Sequence, residues 1–84
     1  EQGIGGALMD AVIAEAKARN CRRVWLLTTN DNLNALQFYQ KLGLRLVALY
    51  PNAVDEARKR RPEIPEIGQN GIPLRDEIEL ELIF

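Results

Sequence analysis

The sequence predicts a small α/β domain, and three patterns predict it. Apolar residues recur every fourth position across residues 4–19, which is the period of an amphipathic helix. An unbroken apolar run at 24–27 reads as a strand, and strict alternation across 77–84 reads as another. Helices and strands therefore interleave along a chain of 84 residues and 9.5 kDa, enough for one domain at most. A chain this short buries only about 60% of the surface its unfolded form exposes.

Each element can be justified in order. In the first helix Ile4, Leu8, Val12 and Ala16 form the expected inner stripe, widened by Met9 and Ile13, with Asp10, Glu15, Lys17 and Arg19 elsewhere. Asn20 is its expected stop. Val24 to Leu27, followed by Thr28 and Thr29, are β-favouring residues of a strand over 23–29, expected to be central and covered on both faces. Asn30, Asp31 and Asn32 offer side-chain caps, Ala35, Leu36, Tyr39 and Leu42 repeat at helical spacing, and Gly43 sits where a left-handed terminator belongs. A second helix is therefore expected over 33–42.

Residues 44–50 read as a strand ended by Pro51, and 53–61 as a short helix closed by Pro62. The segment 63–74 has no period and reads as an ordered loop with a tight turn at Asn70-Gly71. In the last strand Ile78, Leu80, Leu82 and Phe84 face one way and Glu77, Glu79 and Glu81 the other. The glutamates are expected to be exposed or to meet a cationic ligand.

Composition excludes several classes of function. Eleven basic and twelve acidic residues give a net charge of −1, which provides no general attraction for nucleic acid or anionic lipid. With no histidine and a single cysteine, Cys21, the chain lacks an internal disulfide, the usual metal ligands and any Ser/His or Cys/His pair. No metal site is expected. No apolar run approaches the roughly 18 residues of a membrane span, and the start does not resemble a secretion signal. The expected compartment is the cytoplasm. Cys21 reads as a small filler and Trp25 as a packing residue. The basic block Arg58 to Arg61 reads as a solvated helix end favoured by the dipole, or as a contact for an anionic group.

Two segments could hold chemistry. Gln2-Gly3-Ile4-Gly5-Gly6-Ala7 runs straight into a helix, where glycines let unpaired backbone N–H groups approach an anion. Glycines there also serve simply to turn the chain. A dinucleotide fingerprint would need glycine where Leu8 stands, and a strand before it. The second segment spans Asn32 to Gly43. Asn32 can cap the helix or direct its amide at a ligand, Ala35 permits close approach, and Tyr39 follows one turn later on the same face. Tyr39 can be a core residue with a satisfied hydroxyl or a proton donor.

Together the two segments resemble the coenzyme-binding motifs of the GNAT N-acetyltransferase superfamily. The first motif is Gln or Arg, two residues, Gly, one residue, Gly or Ala; Gly3 and Gly5 match, with the leading position falling just before Glu1. The second is Asn-x-x-Ala-x-x-Phe-Tyr-x-x-x-Gly, matched at Asn32, Ala35, Phe38, Tyr39 and Gly43. The likeness extends over nearly the whole chain, because the later strands also fit in order. It implies a mixed sheet flanked by helices, with the N-terminal strands of that fold absent from this chain. Residues 1–84 would then be the C-terminal portion of a single acetyltransferase domain.

The resemblance also implies roles. Gly3, Ile4, Gly5, Gly6 and Ala7 would offer backbone amides to the diphosphate of acetyl-CoA, with Gln2 adding a side-chain contact. Asn32 and Ala35 would meet the pantetheine arm. Tyr39 would protonate the CoA thiolate that departs when an amine attacks the thioester carbonyl. The acceptor is expected to be a small-molecule or peptide amine, and the missing strands would make the isolated piece incomplete as a catalyst. The rival expectation is a non-catalytic half-domain that binds acyl-CoA or pairs with a second copy through an exposed sheet edge.

Overall fold

A computed structural model describes residues 4–84. The predicted coenzyme contacts Gln2 and Gly3 lie outside those residues. The chain folds as α1 (Ile4–Ala18), β1 (Arg23–Thr29), α2 (Leu33–Lys41), β2 (Arg45–Tyr50), α3 (Ala53–Arg60), a single 3-10 turn (Gln69–Gly71) and β3 (Glu77–Ile83). This is the α/β order that the sequence predicts.

Both long helix ends are closed by the same device. Asn20 and Gly43 take left-handed backbone angles, φ 62° and 103°. Around Asn20, the Cys21 N–H reaches the Ala16 carbonyl at 2.8 Å and Asn20 N–H reaches Lys17 at 3.0 Å. Around Gly43, Leu44 N–H reaches Tyr39 and Gly43 N–H reaches Gln40, both at 3.0 Å. Paired bonds of this kind satisfy carbonyls that the helix itself leaves over.

The three strands lie in the order β1-β3-β2, and both ladders are antiparallel. β1 and β2 therefore run parallel to each other with β3 between them. β1 was expected at the centre and covered on both faces. Among the described residues it has one strand neighbour, and its run alternates instead, with Trp25 54% and Leu27 44% exposed. The centre belongs to β3, whose alternation sets Leu80 against Leu26 on one side and Leu46 on the other. A bulge at Val47 shifts the β2 register between Leu46 and Ala48.

One face of the sheet, bearing Val24, Leu26, Leu80 and Leu82, receives the helices. Gly43 approaches Leu82 there, and Lys17 of α1 lies over the Phe84 ring at 5.3 Å. Leu80 is fully buried, with Leu44 at 2% and Val54 at 6% exposure. In α1 the half-buried residues are Met9, Ile13 and Ala16, whereas Leu8 and Val12 stay exposed at 66% and 44%. The covered residues are thus one side of the expected stripe, because a single sheet face accepts only a narrow stripe. The radius of gyration is 14.5 Å against about 12 Å for a compact chain of this length, so much apolar surface remains open.

Candidate functional site

The topology gathers the first turns of α1 and α2 at one end of the sheet. β1 and β2 both finish there, α2 begins there, and the segment between α3 and β3 returns there before β3 starts. The turn at 19–22 reverses the chain, so α1 starts from that same end with Ile4, Gly5, Gly6 and Ala7 in its first turn. Ligands of α/β sheets commonly bind outside the carboxyl ends of parallel strands, where helix N-termini supply free N–H groups.

Asn32 is the N-cap of α2, and its Oδ1 accepts the Ala35 N–H at 3.1 Å. That bond uses the oxygen and leaves the Nδ2 donors without a hydrogen bond among the described residues. Tyr39 lies seven residues on, almost two full turns, which returns it to nearly the same face about 10 Å along the axis. Its ring packs against Phe38 at 5.6 Å, it is half-buried, and its hydroxyl has no hydrogen-bond partner among the described residues. The bond from Leu44 to the Tyr39 carbonyl fixes the turn that carries it. Asn32, Ala35 and Tyr39 thus share one helix face.

Two neighbouring residues escaped the sequence reading except as general caps. Asp31 is 3% exposed. Its carboxylate accepts the Thr29 hydroxyl and, at 2.7 Å, the Gln69 N–H. Burial alone would raise its pKa, but the bonds from Thr29, Gln69 and its own backbone N–H together outweigh burial and bring it below the ordinary carboxylate value. The Asn30 side chain donates to the Pro73 carbonyl at 2.8 Å and accepts the Arg75 and Asp76 N–H groups at 3.0 Å each. The returning segment is therefore stitched to the turn between β1 and α2. It forms a small hairpin in which Asn70 and Gly71 both have positive φ and Ile72 N–H closes on Gln69, the tight turn that the sequence predicts. An isolated Gly68 in an otherwise irregular segment was the available signal.

From its other side the segment is held by Arg58. This guanidinium donates to the carbonyls of Ile64 at 3.0 Å and of Pro65 and Leu74 at 2.7 Å, and pairs with Asp55. Arg58 therefore departs from the expected solvated basic block; only Lys59, Arg60 and Arg61 are exposed. The glutamate row differs too. Arg23 bridges Glu79 and Glu81, and the Tyr50 hydroxyl donates to Glu79. These bonds lower the Glu79 pKa, the Tyr50 contact most, and the same contact raises that of the phenol. Cys21 is exposed, so it fills no gap in the packing. Among the described residues no cluster of three potential ligands could hold a metal ion, and no helix is long and apolar enough to cross a membrane.

Comparison with known proteins adds to this geometry. Residues 1–44, which span α1, β1, α2 and the Gly43 terminator, match the model of the acetyltransferase (GNAT) family. The chain is 54% identical over 77 residues to the uncharacterized protein YdhI of Bacillus subtilis (strain 168), covering 92% of this chain and 48% of that protein. It is 51% identical over 79 residues to YxbD of the same strain, covering 94% and 50%. The chain thus spans about half the length of the curated relatives it matches.

Among solved structures, a GNAT family acetyltransferase from Elizabethkingia anophelis with acetyl-CoA bound superposes with a TM-score of 0.84 at 31% identity. The match covers all of this chain (100%) and 52% of that one. A Bacillus subtilis acetyltransferase in complex with CoA gives 0.80 at 28% identity, with coverages of 100% and 52%. The IAA acetyltransferase of Bacillus cereus ATCC 14579 gives 0.84 at 28%, covering 99% and 52%. The α/β topology is accordingly that of these folds, and the chain belongs to the GNAT family of acetyltransferases.

Proposed function

We propose that this chain is the coenzyme-binding, C-terminal portion of an N-acetyltransferase domain that moves an acetyl group from acetyl-CoA to an amine. The observation that supports this most is the shared α2 face, which carries an uncommitted Asn32 amide and, about two turns further along, an unbonded Tyr39 hydroxyl. Solved family members with the same chain path hold acetyl-CoA or CoA. In this reading the Nδ2 of Asn32 donates to a carbonyl of the pantetheine arm, and Ala35 leaves room for it. Backbone N–H groups of residues 3–7, with Gln2 beside them, receive the diphosphate.

The chemistry is a direct transfer. The lone pair of a neutral amine forms a C–N bond to the thioester carbonyl, and collapse of the adduct breaks the C–S bond. The amine's proton passes to a base supplied outside this chain, while the Tyr39 hydroxyl donates its proton to the leaving thiolate. A phenol O–H is a weak acid that can donate to a thiolate held beside it. The products are an amide and free CoA, so no covalent enzyme intermediate is needed. The acceptor is a small-molecule or peptide amine, and neither nucleic acid nor membrane takes part. The setting is the cytoplasm.

The test is calorimetric titration of CoA into the protein, followed by thiol release from acetyl-CoA with a panel of amines. Micromolar binding that Asn32→Ala weakens supports the coenzyme site; absent binding removes it. The 84-residue chain alone is proposed to be inactive, and normal turnover by it would refute that.

A second reading is favoured by one observation. β2 has a free edge among the described residues and exposes Leu46, Val47 and Leu49 at 48%, 46% and 58%. Such an edge pairs readily with another strand, here a second copy, making a homodimer of coenzyme-binding half-domains. Sedimentation equilibrium decides between dimer and monomer.

A further inference from the structure

We infer that Asp31 is a positioning residue for the coenzyme: its buried carboxylate locks the 67–73 hairpin onto the residue that precedes Asn32. The inference rests on the proposed coenzyme role of Asn32. Among the described residues Asp31 is the buried charged side chain, and no cation pairs with it. A carboxylate so placed costs stability unless neutral donors satisfy it, and here they come from Thr29 and Gln69.

Gly68 makes the second contact possible. A Cβ at that position would stand 2.1 Å from Asp31 Oδ2 and 2.6 Å from its Cγ, so any larger residue must displace the carboxylate from the Gln69 N–H. The backbone of the same turn is equally committed, with Asn32 N–H on the Thr29 carbonyl at 3.1 Å and Leu33 N–H on that of Asp31 at 3.0 Å. Hairpin, Asp31 and the cap of α2 are therefore one connected unit. Releasing the hairpin frees the turn that sets where Asn32 points its Nδ2.

The experiment uses the intact protein, with CoA as the titrant. Asp31→Asn replaces the charged acceptor by a neutral amide with a single oxygen, which weakens the bonds from Thr29 and Gln69, and Gly68→Ala obstructs the Gln69 contact from the other side. Each is expected to raise the Kd for CoA about three- to thirtyfold, the usual size of coupling through a packed network. The double variant should bind no worse than the weaker single, because both changes open one lock. A purely structural role would lower Tm and the active fraction and leave the Kd of the folded protein unchanged. Should Asp31→Asn fail to fold, Thr29→Val removes one donor at constant shape and is expected to raise Kd about two- to fivefold. Wild-type protein that takes up no CoA would sink the coenzyme reading and this inference together. Normal wild-type binding with unchanged Kd in the variants, or additive losses in the double, would overturn the inference alone.

Discussion

The carboxamide oxygen of Asn32 accepts the backbone N–H of Ala35 at 3.1 Å, so one half of this side chain is structural and the other half is available. The two halves can be separated. Asn32→Asp keeps the capping oxygen, and its negative charge suits a helix N-terminus, but it loses the donor. It is expected to melt within a degree or two of wild type while binding CoA at least tenfold more weakly. Asn32→Ala loses both and should also cost about 1 kcal/mol of stability. Thermal melts beside calorimetry check this; equal CoA affinity in Asn32→Asp would show that the side chain only caps.

Tyr39→Phe keeps the ring contact with Phe38 and deletes only the hydroxyl. As an acid for the departing thiolate, that hydroxyl acts in the transition state and not in coenzyme binding. The expected result is a fall in kcat of about a hundredfold or more with the KM for acetyl-CoA changed less than threefold. Stopped-flow thiol release from the intact enzyme measures it. Loss confined to KM would assign Tyr39 to binding.

The parts of this architecture that local chemistry decides were legible. Asn20, Gly43 and the Asn70-Gly71 pair take the left-handed angles their positions suggest, and β3 alternates as its sequence does. What was not legible depends on partners far apart in the chain. Arg58 looks like one member of a basic run, yet carbonyls of residues 64, 65 and 74 decide its role. Asp31 looks like a turn residue until Gly68, 37 positions later, closes over it. The central position of β3 likewise follows from pairing on both sides, which the apolar run of β1 could not reveal. The common face of Asn32 and Tyr39 was readable because one helix carries both, so their spacing in sequence is their spacing in space.

Gly5 lies in the first turn of α1. A carboxylate introduced there meets two opposite demands: it favours the helix dipole and repels a diphosphate at the same N-terminus. Gly5→Asp should therefore leave Tm unchanged or slightly raised and weaken CoA about tenfold. Because the repulsion is electrostatic, the deficit should shrink as salt rises from 50 mM to 500 mM. A salt-independent deficit would point to steric obstruction, and unchanged affinity would place the diphosphate elsewhere.

Acid should loosen the Asp31 lock before it unfolds the strands. The folded-state pKa of Asp31 lies below its ordinary value, so its contribution is fully present above the unfolded pKa of about 3.9 and is lost as pH falls through the folded value. Hydrogen exchange at the Gln69 amide should accelerate as pH falls below about 4 in wild type, after correction for intrinsic rates. Asp31→Asn, whose amide does not titrate, should show no such step. A step of equal size in the variant would assign it to another carboxylate.

Arg58 tests whether the 63–74 segment is held by charge or by shape. Its five N–H donors lie in one rigid plane, and they reach the carbonyls of Ile64, Pro65 and Leu74 together with Asp55. Arg58→Lys keeps the positive charge and the attraction to Asp55, but a single ammonium cannot span three separate carbonyls. At least one of the three carbonyls is then left without its donor. The expected loss is about 2 kcal/mol for Arg58→Lys, and about 3 kcal/mol for Arg58→Ala, which also gives up the pair with Asp55. Urea unfolding of the intact protein gives both values, and the part due to the carbonyls should change little in high salt because those acceptors carry no net charge. A lysine variant as stable as wild type would mean that charge alone holds the segment. In that case the hairpin could not depend on the shape of the guanidinium, and its placement beside Asn30 and Asp31 would have to come from the hydrogen bonds of those two residues alone.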